Sequence, residues 1–135
     1  MTKPILALGA LALAIAATSA SAETAAEKGD AKFAELTEGR VAGEARTCIT
    51  AIRSRGIEVV ENLGVTYEDG DTLWIARARD PRSLSRDDVP IWDRFGSQIC
   101  SNDMIRTIDR NSYFITGSVF LDDFVPYAKV ETEEG

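Results

Sequence analysis

The segment LGVTYEDGDTLWIARARD, residues 63–80, constrains the fold more than any other part of the chain. The dipeptide Asp69-Gly70 lies between two runs rich in β-branched and aromatic residues. An Asp-Gly pair in this setting is typical of a two-residue hairpin turn, because both central positions of such a turn require positive φ. In the resulting register Val65 faces Trp74, an aromatic and β-branched pairing that stabilises adjacent strands. We therefore expect an antiparallel hairpin at the centre of the fold.

Short apolar runs separated by turn residues continue through the chain after Gly43 and predict an antiparallel β architecture. The candidate strands are about Thr47–Arg53, Ile57–Glu61, Leu63–Glu68, Thr72–Arg79, Met104–Asp109 and Thr116–Leu121. Before them, helix-forming residues from Thr24 to Glu38, followed by Gly39, predict one N-terminal helix. The sequence thus predicts a mainly β, α+β fold: a small antiparallel sheet or partly closed barrel with one N-terminal helix and one disulfide.

The N-terminal residues MTKPILALGALALAIAATSASA have the three-part pattern of a secretory signal peptide. Lys3 precedes an apolar run, and the small residues Ala20-Ser21-Ala22 predict cleavage after Ala22. The apolar run is shorter than the ~20 residues that a membrane-spanning helix needs. We expect a periplasmic or secreted protein without a membrane span after cleavage. The predicted organisation is signal peptide 1–22, N-terminal helix 23–39, β domain 40–128 and disordered acidic tail 129–135.

The charge and the absence of histidine exclude several classes of function. The formal net charge is −7, so nucleic acid would be repelled by the chain's overall field. The chain contains no histidine, which removes His-based zinc sites and Ser-His-Asp or Cys-His catalysis. A hydrolase would have to use carboxylates, lysine or tyrosine. The sequence predicts no cofactor and no metal.

The two cysteines, Cys48 and Cys100, predict a disulfide. A metal site is disfavoured, because two thiols without histidine or C-x-x-C spacing do not complete a tetrahedral shell. A nucleophilic thiol is disfavoured because its usual base is absent and an oxidising compartment removes thiols. Closing this long loop would stabilise the fold by roughly 4 kcal/mol.

One arginine-rich stretch, RARDPRSLSR, leads into a polar segment that we interpret as a loop from Asp80 to Ile91, bracketed by two prolines. An arginine cluster beside an exposed aromatic ring could hold an anionic or planar group of a partner. The candidate partner-binding residues are Arg77, Arg79, Arg82, Arg86 and Trp92. The alternative is a solvated loop whose arginines pair with neighbouring carboxylates, Asp80, Asp87 and Asp88.

Neither acidic doublet, Asp87-Asp88 or Asp122-Asp123, predicts a catalytic or calcium site by itself, because neighbouring residues on a strand point to opposite faces. Seven further aromatic residues are expected in the core, with Trp92 as the candidate for exposure. These aromatic residues are Trp74, Phe95, Tyr113, Phe114, Phe120, Phe124 and Tyr127.

The order RTCITAI, YEDGDTLWIARAR, GSQIC, DMIRTIDR and GSVFLDDFVPY resembles a group of small exported proteins of unknown function from Gram-negative bacteria. The resemblance spans roughly Arg40 to Tyr127 and rests on the two cysteines, on Gly96 to Cys100 and on Phe124 to Tyr127. It implies an exported single domain with a cysteine bridge. It implies no activity, ligand or catalytic residue.

Three classes of function follow from these observations. The leading hypothesis is a non-enzymatic periplasmic protein that binds a protein partner or an envelope component. The second is an inhibitor of a basic secreted enzyme such as a lysozyme, suggested by acidic charge, small size and the cysteine pair. The third is a carboxylate-dependent hydrolase, for which the sequence contains no recognisable paired site.

Overall fold

The computed structural model describes residues 21–52 and 56–131, and these residues form a mainly β fold with one α-helix. The elements are α1 Ala25–Thr37, β1 Arg40–Ala42, β2 Cys48–Thr50, β3 Ile57–Val60, β4 Gly64–Asp69, β5 Thr72–Arg77, β6 Asp88–Trp92, β7 Gln98–Cys100, β8 Ile105–Asp109, β9 Ile115–Val119 and β10 Val125–Lys129. The predicted signal peptide lies outside the described residues, apart from its last two. Residues 132–135 of the predicted tail also lie outside them.

The N-terminal helix is confirmed, and local side-chain chemistry explains where it begins. The Thr24 hydroxyl accepts a hydrogen bond from the Glu27 backbone N–H at 3.2 Å, and the Glu27 carboxylate accepts one from the Thr24 N–H at 2.8 Å. This reciprocal pair is a capping box, which satisfies two backbone donors at the helix start. Gly39, with φ of 68°, follows the helix in the left-handed conformation that glycine adopts without a Cβ clash.

The largest sheet has five antiparallel strands in the order β1-β10-β5-β4-β3. Because side chains alternate along a strand, β5 presents Leu73 and Ile75 to one face and Ala76 to the other. Phe33 and Leu36 of α1 pack against the first of these faces. The helix therefore covers one side of this sheet.

The hairpin between β4 and β5 is confirmed, but the predicted register is wrong by two residues. Asp69 pairs with Thr72, and Val65 pairs with Ala76 where Trp74 was expected. The two turn residues are therefore Gly70 and Asp71, and Gly70 has φ of 59°. A hairpin turn of type II′ needs positive φ only at its first central position, so glycine is placed there. A two-residue slide leaves every side chain on its predicted face.

A second layer covers the other face of the large sheet. It consists of the antiparallel sheet β6-β8-β9 and the strand pair β2-β7. Isolated bridges, Ala78 to Leu121 and Arg46 to Phe124, connect this layer to the large sheet. The main core contains side chains from both layers, and its largest fully buried members are Phe124, Ile99, Ile105, Leu121 and Val65. The described strands form no closed barrel.

The predicted loop from Asp80 to Ile91 is wrong over its second half, where β6 forms. A turn of 3-10 helix, Pro81–Ser83, occupies the first half. Pro90 lies within β6 and pairs with Thr107 of β8. Proline is tolerated there because β6 is an edge strand, so its missing N–H leaves no ladder partner unsatisfied.

Three further strands, β1, β7 and β10, were not expected from the sequence. β1 and β7 have three residues each, too few to show a periodic pattern. β10 contains Pro126, which is a strong signal against a strand in the sequence alone. This strand extends through Lys129, the first residue assigned to the acidic tail.

The disulfide between Cys48 and Cys100 is confirmed, with an S–S distance of 2.05 Å. The two cysteines are directly opposite each other in the antiparallel pair β2-β7. The neighbouring pair, Ile49 and Ile99, is buried in the main core. The bridge therefore joins two very short strands at the edge of the core.

Candidate functional site

The five candidate residues predicted around the arginine-rich stretch occupy different surroundings. The Arg77 guanidinium lies 4.2 Å from the ring centroid of Phe33 and 3.4 Å from the Asp30 carboxylate. Arg77 thus connects β5 to α1. Arg82 lies 3.8 Å from the Asp80 carboxylate, as one of the alternative pairings predicted. Exposed pairs of this kind contribute little to stability.

The remaining three candidates line three cavities, and the two beside Arg86 and Trp92 adjoin each other because both are lined by Ile57, Val89 and Pro90. Arg79, Arg86 and Trp92 each contribute to a different one. Trp92 is half-buried against the main core, and its Nε1–H donates to the Cys100 carbonyl at 3.5 Å. The expectation of an exposed Trp92 is wrong, because Trp92 is the last residue of β6 and is paired with the buried Ile105. The structure therefore does not gather the five candidates into one site.

The cavity beside Arg79 has the features of a binding cleft, and we call it the Arg79 cleft. It has a volume of about 320 Å³ and opens to the surface. The turn that follows β7 forms one wall, and the end of β9 with the residues after it forms the other. The lining residues are Arg79, Ser101, Asn102, Asp103, Met104, Ile105, Ser118, Val119, Phe120 and Leu121.

Two large apolar side chains, Met104 and Phe120, form the rim of the Arg79 cleft. They are 70% and 67% exposed. Ile105 pairs with Val119, so the next step of the same antiparallel ladder places Met104 opposite Phe120. Their inward-facing neighbours are buried in the core, whereas the outer face carries these two. A methionine beside an aromatic ring forms an adaptable apolar surface for a partner.

Sequence reasoning missed this rim because it placed the aromatic residues other than Trp92 in the core. Phe124 is buried as expected, but Phe95, Tyr113, Phe114 and Phe120 are exposed. These four residues lie in the segments that connect or follow the strands, where no second layer covers them. One pattern in the sequence could have indicated the rim. If the candidate strands Met104–Asp109 and Thr116–Leu121 pair in antiparallel fashion, Met104 and Phe120 lie near the same end of the pair.

The Arg79 cleft is lined by one cation, Arg79, and one carboxylate, Asp103, and two further carboxylates contact its lining residues. Ser101 Oγ donates to Asp123 Oδ1 at 2.8 Å, and the Cys100 N–H donates to the Asp103 carboxylate at 2.9 Å. The Arg79 Nε lies 3.4 Å from the Asp122 carboxylate. Asp122 thus pairs with the guanidinium of Arg79, whereas Asp103 and Asp123 bind the turn that follows β7. Asp122 and Asp123 bind different partners.

A second group of carboxylates has structural roles. Asp88 is 3% exposed and accepts hydrogen bonds from the Ser85 N–H and the Thr116 hydroxyl, both at 2.8 Å. The backbone N–H groups of Ser112 and Asn111 lower the pKa of Asp109 below its ordinary value, because they donate to its ionised carboxylate. A general acid requires a raised pKa, so Asp109 is unsuited to that role.

Among residues 21–52 and 56–131, no three His, Cys, Asp or Glu side chains lie together in a way that could hold a metal ion. Within the same ranges, no helix reaches the length and hydrophobicity that a membrane crossing requires. Comparison with protein-family models, with curated proteins and with solved structures yields no match to this chain. The proposed function therefore rests on the geometry of the Arg79 cleft.

Proposed function

We propose that the protein is a non-enzymatic binding module that acts outside the cytoplasm and holds a cationic protein partner at the Arg79 cleft. The observation that carries this proposal is the exposed pair Met104 and Phe120 at the rim of a cavity that the carboxylate of Asp103 lines. The resemblance to small exported proteins and the signal-like N-terminus support the location. Disulfides such as Cys48–Cys100 persist mainly in oxidising compartments, which also supports it.

The apolar rim supports a protein partner. Exposed large side chains beside a concave surface are typical of interaction sites, and a few such anchors supply most of the binding energy of an interface. Burying Met104 and Phe120 against a partner would remove both from water. Each side chain is large enough to contribute about 1.5–3 kcal/mol when it becomes fully buried.

The charge around the rim supports a cationic partner. Asp103 lines the cleft, Asp122 and Asp123 contact the lining residues Arg79 and Ser101, and the whole chain has a net charge of −7. A basic surface would be attracted over long distances and would approach this cleft faster at low salt. A lysine or arginine of the partner could enter between the apolar rim residues and contact the carboxylates.

An inhibitor of a basic secreted enzyme, such as a lysozyme, is a second candidate function. The same cleft chemistry favours it, since a cationic enzyme would present lysine and arginine side chains to these carboxylates. Inhibition would require that the bound surface include the enzyme's active site. A carboxylate-dependent hydrolase stays a prediction that no observation favours.

Binding to cationic proteins tests the proposal. The protein, without residues 1–22, would be immobilised and exposed to a panel of basic secreted enzymes that includes a lysozyme, with an acidic protein of similar size as the control. We expect binding to at least one basic protein, weakened strongly between low and high salt. Loss of that enzyme's activity on binding would support the inhibitor, and unchanged activity would support the simple binding module.

Two variants locate the site. Replacing both rim residues, Met104→Ala and Phe120→Ala, should weaken binding at least about tenfold, the equivalent of 1.4 kcal/mol. Phe95→Ala is the matched control, because Phe95 is a fully exposed phenylalanine outside the cleft lining. It should bind like the unmodified protein. Full-strength binding by the double variant, or no binding to any basic protein, would overturn the proposal.

A further inference from the structure

The free edge of β9 is an unusual surface of this protein. β9 is the terminal strand of the sheet β6-β8-β9, and β8 is the described element that runs along it. An edge strand presents a row of backbone N–H and C=O groups without ladder partners, which can pair with a strand of another chain. This edge has five residues, from Ile115 to Val119.

The other strand edges in the described part of the chain carry features that hinder such pairing. β6 contains Asp88 and Pro90, and β3 contains Glu58. β1 has only three residues and includes Arg40, and β2 and β7 have three residues each. Charged residues, proline and very short length are the usual protections of an edge strand. β9, with the sequence ITGSV, has no charged residue and no proline, and although its ladder with β8 is irregular at Thr116, Gly117 to Val119 keep a regular register.

The residues around β9 are also free of charge. Residues 111–121, NSYFITGSVFL, contain no Asp, Glu, Lys or Arg, although 27% of the whole chain is charged. Tyr113, Phe114 and Ile115 at the beginning of this segment are 77%, 75% and 66% exposed. An apolar, uncharged strip of this kind on an acidic protein marks a contact surface.

The turn between β8 and β9 holds this strip in place. Asp109 Oδ1 accepts hydrogen bonds from the Asn111 N–H at 2.9 Å, from the Ser112 N–H at 2.8 Å and from the Ser112 hydroxyl at 3.0 Å. The Tyr113 N–H donates to the Asp109 carbonyl at 2.8 Å. A contact surface that is already ordered loses less conformational entropy on binding. The exposed aromatic residues are thus presented on a fixed turn.

We infer that β9 pairs in antiparallel fashion with β9 of a second copy of this chain, so that two three-stranded sheets form one six-stranded sheet. Two copies with a net charge of −7 each repel one another over most of their surfaces. The uncharged strip is where close contact avoids juxtaposed like charges. An antiparallel edge is self-complementary about a two-fold axis, which is the symmetry of most homodimers. A strongly charged partner would gain no complementary charge from this strip.

Sedimentation equilibrium of the folded protein without residues 1–22 tests this inference. We expect a monomer–dimer equilibrium between about 1 µM and 1 mM. Ile115→Glu places like charges on both sides of the contact and should yield a monomer over the same range. Val41→Glu is the matched control, since Val41 is a similarly exposed apolar residue on another edge strand, β1, and it should leave the dimer intact. Circular dichroism would check that both variants are folded.

Amide hydrogen exchange provides a second readout that does not depend on a variant. β9 amides should exchange more slowly at high protein concentration than at low concentration, whereas β1 amides should not change. A wild-type protein that stays monomeric at the highest concentration would overturn the inference. Equal dimer content in Ile115→Glu and wild type would also overturn it. Phe120 belongs to both surfaces, so binding at the Arg79 cleft is measured separately with Met104→Ala, which lies outside the strip, and either proposal can then fail alone.

Discussion

The backbone of Gly29 in α1 lies directly against the backbone carbonyl of Asn62, in the turn between β3 and β4. A Cβ atom at position 29 would overlap the Asn62 oxygen, closer than a carbon and an oxygen can approach. Gly29 is the buried residue of α1, and Asn62 has φ of 61°, in the left-handed region. The glycine that weakens the helix by itself is therefore what allows the helix to pack on the sheet.

Gly29→Ala tests this contact because two effects predict opposite signs. Helix propensity alone would stabilise the variant by about 1 kcal/mol. Overlap with Asn62 should cost about 1–3 kcal/mol, since α1 must move away from the sheet. We expect a net loss of stability, measured by urea unfolding. Ala34→Gly, at an exposed position of the same helix, is the control for propensity and should cost up to about 1 kcal/mol. A Gly29→Ala protein more stable than wild type would contradict this account.

Removal of the disulfide should lower the free energy of unfolding by roughly 4 kcal/mol, because the bridge closes a loop with a sequence separation of 52 residues. The double variant Cys48→Ala and Cys100→Ala would be compared with wild type by urea unfolding, with and without reductant. Reductant should lower the midpoint of wild type only. The oxidised protein, denatured without reductant, should have no reactive thiol. Two thiols per chain under those conditions would mean that the bridge does not form.

Asp88 should be the aspartate of the Asp87-Asp88 doublet that matters for stability. Asp88→Ala removes the acceptor of the Ser85 N–H and one of the two hydrogen-bond partners of the Thr116 hydroxyl, which should cost about 1–3 kcal/mol. Asp88→Asn keeps one acceptor oxygen and should cost less. Asp87→Ala is the matched control and should change thermal stability by less than about 0.5 kcal/mol. Equal effects of the two alanine variants would contradict the assigned role of Asp88.

Several elements could be predicted from the sequence because their causes are local. The helix, ended by Gly39, and the glycine turn at Gly70 depend on backbone preferences of a few residues. The bond between Cys48 and Cys100 could be predicted because elimination left one use for two cysteines. The mainly β class followed from the spacing of short apolar runs, a property that survives errors at individual strand boundaries.

The hairpin register and the β6 strand depended on contacts that lie far apart in the sequence. Gly70 can occupy either central position of a hairpin turn, and the choice moved Val65 from Trp74 to Ala76 without changing its face. Pro90 is compatible with a strand only if one edge of that strand is open, and β6 pairs with β8 on one side alone. Neither the hairpin register nor the open edge of β6 can be derived from the residues next to Gly70 and Pro90.

The sequence by itself determined the class of fold, the disulfide and the chemistry that a chain without histidine lacks, because composition and local preferences suffice for these. Only the tertiary structure decided which apolar residues stay at the surface. Phe120 and Phe124 lie four residues apart, yet Phe124 is fully buried and Phe120 forms the cleft rim. The physical reason is that a side chain is buried only if another layer covers its face, and layers are assembled by contacts distant in the chain.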